Sequence, residues 1–135
     1  METITEDYVS FEAAKLLKEK GFDVPCLAHW FIGTDIHFSV GTIPQNWNEV
    51  KTDLDWLSCP THQMAMKWVR IKYNIIIIIA LDLYKFDDGE IKFYIEYYNL
   101  KKPQESCAYE GEHIYFDSYE QACEEAIKYC LEKLI

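Results

Sequence analysis

Residues 74–86, NIIIIIALDLYKF, and the DDG that follows at 87–89 decide how this chain folds. Five successive isoleucines are β-branched and apolar, a combination that favours a strand over a helix. A strand apolar on both faces wants cover on both faces, which predicts a central position for Ile75–Leu81. Asp87-Asp88-Gly89 suits a three-residue hairpin loop with glycine in the left-handed conformation of a bulge. That loop sets Lys85 opposite Ile91, Leu83 opposite Phe93, Leu81 opposite Ile95 and Ile79 opposite Tyr97. The other face then carries Tyr84/Lys92, Asp82/Tyr94 and Ala80/Glu96. A two-residue Asp-Gly loop would place Lys85 against Lys92 and Asp82 against Ile95, which are poorer pairs.

Helices are expected on both sides of this hairpin. Ser10 and Glu12 start a helix over 10–20, with Phe11, Ala14 and Leu17 on one stripe and Gly21 as the residue that ends it. Pro60 suits the first turn of a second helix over 61–73, with Ser58 or Cys59 as its cap. Met64, Ala65, Trp68, Val69 and Ile71 form its expected apolar face, Met66 points elsewhere, and Asn74 ends it. Asp117 or Ser118 caps a third helix over 118–134, with Glu120 or Gln121 at the reciprocal capping position. Its stripe is Tyr119, Ala122, Cys123, Ala126, Ile127, Cys130, Leu131 and Leu134. SFEAAKLLKEK and SYEQACEEAIK look alike. Shared capping chemistry explains this more simply than a duplication.

CLAHWFI (26–32) and IHFSV (36–40) read as strands around a Gly33-Thr34-Asp35 turn, and HIYF (113–116) as another. Residues 41–58 read as a loop with one helical turn, and 100–112 as a polar loop. The fold class expected is α+β: one domain over 1–135, an antiparallel sheet of four or five strands packed by three helices, in the order α-β-β-α-β-β-β-α.

The 135 residues carry 23 acids against 13 bases, a net charge of −10. Such a surface repels phosphate backbones and anionic membranes, which argues against nucleic-acid or membrane partners; it suits a basic partner or, more simply, solubility alone. The N-terminal stretch has neither the basic nor the apolar region of a signal peptide. Five cysteines, an odd number, read as reduced thiols in a cytoplasmic protein. No phosphate-binding glycine loop, paired-carboxylate motif or hydrolase elbow is present, and no cofactor is implied.

Two cysteine–histidine pairs remain to be weighed. Cys26, His29, Cys59 and His62 are ligand types that can hold tetrahedral zinc, but positions 26 and 29 of a strand point to opposite faces. Cys59 and His62 alone form a candidate thiol or ligand site, because a helix N-terminus favours a thiolate. No third orienting group can be named. A packed helix start with a surface imidazole is the simpler reading, and no catalytic residue is assigned. Met64 and Trp68 read as core rather than a ligand pocket, and Cys123 and Cys130 as core filler. Tyr94, Glu96 and Tyr98, with Tyr84 beside them, share one face of the hairpin and form a candidate protein-binding patch, or are simply buried if helices cover both sheet faces.

Three segments, EDYVSFEAAKLLKEKGFD (6–23), PTHQMAMKWVR (60–70) with Asn74 after it, and DSYEQACEEAIKYCLEKLI (117–135), resemble uncharacterised small proteins of gut Bacteroides and their phages or integrated elements. The position held here by Cys59 varies in that pattern. The resemblance implies a mobile-element origin and a host cytoplasm; it does not supply a function. The function expected is that of a non-enzymatic accessory protein that binds another protein or itself. The alternatives are a ligand-binding protein or enzyme using Cys59 and His62, and an acidic mimic of nucleic acid.

Overall fold

The computed structural model describes residues 4–82, 91–111 and 114–135. The chain divides into two compact units, Met1–Ala65 and Met66–Ile135. Three α-helices and two three-stranded antiparallel sheets make an α+β protein. The single sheet of four or five strands expected from the sequence is therefore replaced by two smaller ones.

The first unit begins with helix α1, Phe11–Glu19. Ser10 Oγ accepts from the Ala13 N–H at 3.1 Å, satisfying a donor that the first turn leaves unpaired. At the other end Gly21 takes φ 88°, and the chain reverses through Gly21 N–H to Lys18 O and Phe22 N–H to Leu17 O. This is the Schellman arrangement, and its apolar contact is supplied by Phe22 and Leu17, both fully buried. Strand β1 (Cys26–Ile32) lies between β2 (Ile36–Gln45) and β3 (Asp55–Ser58). β2 runs five residues beyond the expected Val40. The 41–58 stretch also holds one 3-10 turn at Trp47–Glu49 and the whole of β3, a strand absent from the expected order. Ala28, Trp30 and Ile32 share a face with Phe38 and Leu57, and Phe11 of α1 meets Trp30 edge-on at 5.9 Å.

Helix α2, His62–Tyr73, crosses the boundary between the units. Its cap is Thr61, whose Oγ1 accepts from the Met64 N–H at 3.2 Å, rather than Ser58 or Cys59. Its buried positions are His62, Ala65, Met66, Trp68 and Val69. The stripe thus centres on the line from His62 to Val69, rotated from the face drawn through Met64 and Ile71. Met64 and Ile71 are exposed and Met66 is buried, the reverse of the expectation, because hydrophobicity alone does not mark the centre of a stripe when apolar residues occur all round the helix. Asn74, at φ 60°, ends the helix.

In the second unit, β4 (Ile75–Asp82) pairs with β5 (Lys92–Asn99), which pairs with the short β6 (Cys107–Ala108). The register is Ile77 with Tyr97, Ile79 with Ile95, Leu81 with Phe93, and Asp82 with Lys92. It differs by two residues from the expected one. A shift of two preserves which side chains share a face, and here it sets an acid against a base where the expected register set Asp82 against Tyr94. The turn residues, and with them the pairs drawn for Leu83, Tyr84 and Lys85, lie outside the described residues.

Among the described residues β4 lies at the edge of this sheet, not at its centre. β6 and a single bridge between Phe93 and Phe116 occupy the far side of β5. The strand expected at 113–116 is reduced, among the described residues, to that bridge. Helix α3 (Tyr119–Tyr129), capped by Ser118 Oγ on Gln121 N–H, packs along β4 and β5. It continues as a wider π-type turn over Cys130–Leu134. Ala122, Cys123, Ala126, Ile127, Cys130 and Leu131 are buried, whereas Tyr119, placed on the same stripe by the sequence, is exposed.

Candidate functional site

The pleat of β5 sends Phe93, Ile95 and Tyr97 to one side and Tyr94, Glu96 and Tyr98 to the other. The first set faces α3. Ile95 and Tyr97 are buried, and the Tyr97 hydroxyl donates to the Ala126 carbonyl at 2.8 Å. Burial pushes that phenol well above the usual tyrosine range. The second set is half-exposed or exposed, and Ile76, Ile78 and Ala80 of β4 lie beside it in register. Tyr98 is 45% exposed and Ile78 is 39% exposed.

Polar groups on this second face are tied together. The Tyr98 hydroxyl donates to the Glu96 carboxylate, and that bond holds the phenol above its ordinary pKa. Tyr115 reaches Asp82 at 3.3 Å and stands edge-on to Tyr94 at 6.1 Å. A hollow of about 300 Å³ is lined by Glu96, Tyr98, Ser106 and Ala108 from this side. Three of the four sequence-selected patch residues, Tyr94, Glu96 and Tyr98, thus share one sheet face. Tyr84 lies outside the described residues.

Cys59 and His62 occupy a different environment. Cys59 is 1% exposed, and its thiol donates to the Val9 carbonyl at 3.2 Å. His62 is buried as well, so the expected surface imidazole is instead part of the α2 stripe. A nucleophile at Cys59 would have no approach for a substrate in this conformation. Cys26 lies at a bulge in the β1–β2 pairing with Met64 Sδ 4.0 Å away, and burial pushes its thiol up to about 11. Among the described residues no three His, Cys, Asp or Glu side chains stand together as a metal site.

The opposite face of the first sheet holds a cluster that sequence reasoning missed. His29 stacks on Trp47 with ring centroids 3.8 Å apart, and Trp56 lies 5.2 Å from the same imidazole. Trp47 donates its indole N–H to the Cys26 carbonyl at 2.7 Å, and Trp56 donates to Thr52 Oγ1 at 2.7 Å. Asn48 anchors the 3-10 turn by accepting from Ser58 N–H and donating to Phe22 O. His29 Nδ1 and Ser58 Oγ, on residues directly opposite each other in the β1–β3 pairing, are buried without hydrogen-bond partners among the described residues. Burial lowers the imidazole pKa. The signal was present in the alternation of β1, which puts His29 and Phe31 on the face away from Ala28 and Trp30, but Trp47 and Trp56 sat in a stretch read as loop.

No family model matches the chain, and neither a curated protein nor a solved structure matches it.

Proposed function

We propose that this protein is a non-enzymatic binding module whose contact surface is the β4–β5 face bearing Tyr94, Glu96 and Tyr98. One observation carries this reading: α3 packs along β4 and β5 on the side of Ile95 and Tyr97, while the other side presents aromatic and aliphatic side chains around a carboxylate. Tyrosines supply large contact area at low entropic cost, and a central acid flanked by rings suits a cationic side chain. The net charge of −10 adds long-range attraction for a basic partner. Burial of Cys59 and His62 argues against the enzyme alternative. The resemblance of three segments to mobile-element proteins favours a host component as the partner.

The experiment is affinity capture with the intact chain, comparing wild type with Tyr98→Ala and Glu96→Lys at low and high salt. A basic protein held by wild type, released by salt and lost from both variants is the expected outcome. Capture that is unchanged in both folded variants would refute the assignment of this face.

A further inference from the structure

We infer that β4 pairs edge to edge with the β4 strand of a second copy of this chain, joining two three-stranded sheets into one of six strands. This concerns the open margin of the sheet and does not depend on the face proposed above.

Among the described residues, positions 75–81 pair with β5 and with no other strand, which leaves the other edge of that stretch open there. Natural edges are blunted by lysine, proline, bulges or an inward charge. Residues 75–81 contain none of these residue types, and the β4–β5 register runs without a bulge. Both faces of the strand remain partly open, Ile78 at 39% and Leu81 at 51%.

Symmetry and charge choose the partner and the register. A two-fold axis normal to the sheet makes the strands antiparallel and keeps equivalent faces on the same side. Residues opposite one another must then be separated by an even number. Centring on Ile78 overlaps seven residues of β4: Ile78 meets its own copy, Ile77 meets Ile79, Ile76 meets Ala80, and Ile75 meets Leu81. Asp82, the one charged residue of β4, falls opposite Asn74, two residues beyond Lys72 in the sequence, so no like charges face each other. Self-pairing in this register sets aliphatic side chains against one another at every position from 75 to 81.

The pairing closes at two copies, because each chain contributes its one β4 edge. Seven overlapping residues of strand span about 24 Å, a contact at the small end of stable interfaces, so a weak, concentration-dependent dimer is expected. Each chain carries −10, so screening strengthens the dimer. That salt response is opposite to the one expected for a basic partner at the Glu96 face.

Sedimentation equilibrium over a wide concentration range tests the inference with the full chain. Wild type should pass from 16.0 kDa to twice that mass. Ile78→Lys puts two ammonium groups face to face at the axis and should weaken the dimer ~10-fold or more. Ile71→Lys on the exposed side of α2 and Tyr98→Ala on the sheet face should leave it unchanged. Amide exchange of wild type adds a reading that needs no variant: protection over 75–82 should rise with protein concentration. A monomer at every concentration, a dimer lost in Ile71→Lys or Tyr98→Ala, or exchange over β4 that ignores concentration would each overturn it.

Discussion

His29 lies against Trp47 with ring planes 29° from parallel and centroids 3.8 Å apart, and only 7% of the histidine is exposed. Burial disfavours the imidazolium, so the folded-state pKa lies below the ordinary 6.5. Above pH 6.5 the group is neutral whether folded or unfolded, and it contributes no pH dependence. Below 6.5 the unfolded chain binds the proton first, so stability falls as pH drops from 6.5 through the folded-state value. Urea unfolding at a series of pH values should show this loss in wild type. His29→Phe keeps a ring on Trp47 and should flatten the profile just below 6.5. An unchanged slope in that variant would remove His29 as its source.

Thiol chemistry separates the binding module from the Cys59 enzyme. Four cysteines are buried and Cys107 alone is half-exposed. Burial pushes Cys130 up to about 12 and Cys26 up to about 11, and it also raises Cys107. Titration of the native protein with an aromatic disulfide should therefore modify one thiol, slowly at neutral pH and faster as the solution becomes alkaline. The other four should react only after unfolding. Cys107→Ser should abolish the native reaction and Cys59→Ser should not affect it. A rapidly reacting Cys59 at neutral pH would restore the nucleophile reading.

Local chemistry made the helices and two strands legible. Ser10, Gly21, Asn74 and Ser118 act where capping rules place them, and β1 runs over the very residues 26–32 that alternation marked. What the sequence concealed is long-range. Whether Ile75–Ile79 is central or marginal depends on which segment takes the far side of β5, and Cys107–Ala108 is too short to announce itself. The β4–β5 register turned on Asp82 meeting Lys92, a pairing that loop statistics do not encode. On α2, apolar residues spread around the helix left its buried line ambiguous until packing selected His62 and Met66 over Met64 and Ile71. The patch tyrosines were legible because strand alternation survives a register shift of two. The His29 cluster was not, because it draws Trp47 from a 3-10 turn and Trp56 from an unanticipated strand.

The Tyr97 hydroxyl bond to the Ala126 carbonyl ties the centre of β5 to the middle of α3. Tyr97 is 2% exposed and its ring stacks with Tyr129 at 5.6 Å, so two changes at this position read different terms. Tyr97→Phe keeps the ring and removes one buried hydrogen bond, while Ala126 O still accepts within the helix. A loss of about 1 kcal/mol is expected. Tyr97→Ala removes the ring as well and leaves a cavity beside Ile95, at a cost of roughly 3–5 kcal/mol. Denaturant midpoints of the two variants, measured with the intact chain, give the ratio. If Tyr97→Phe cost as much as Tyr97→Ala, the hydroxyl would be the chief tie between sheet and helix. If it cost nothing, aromatic packing alone would hold α3 on the sheet.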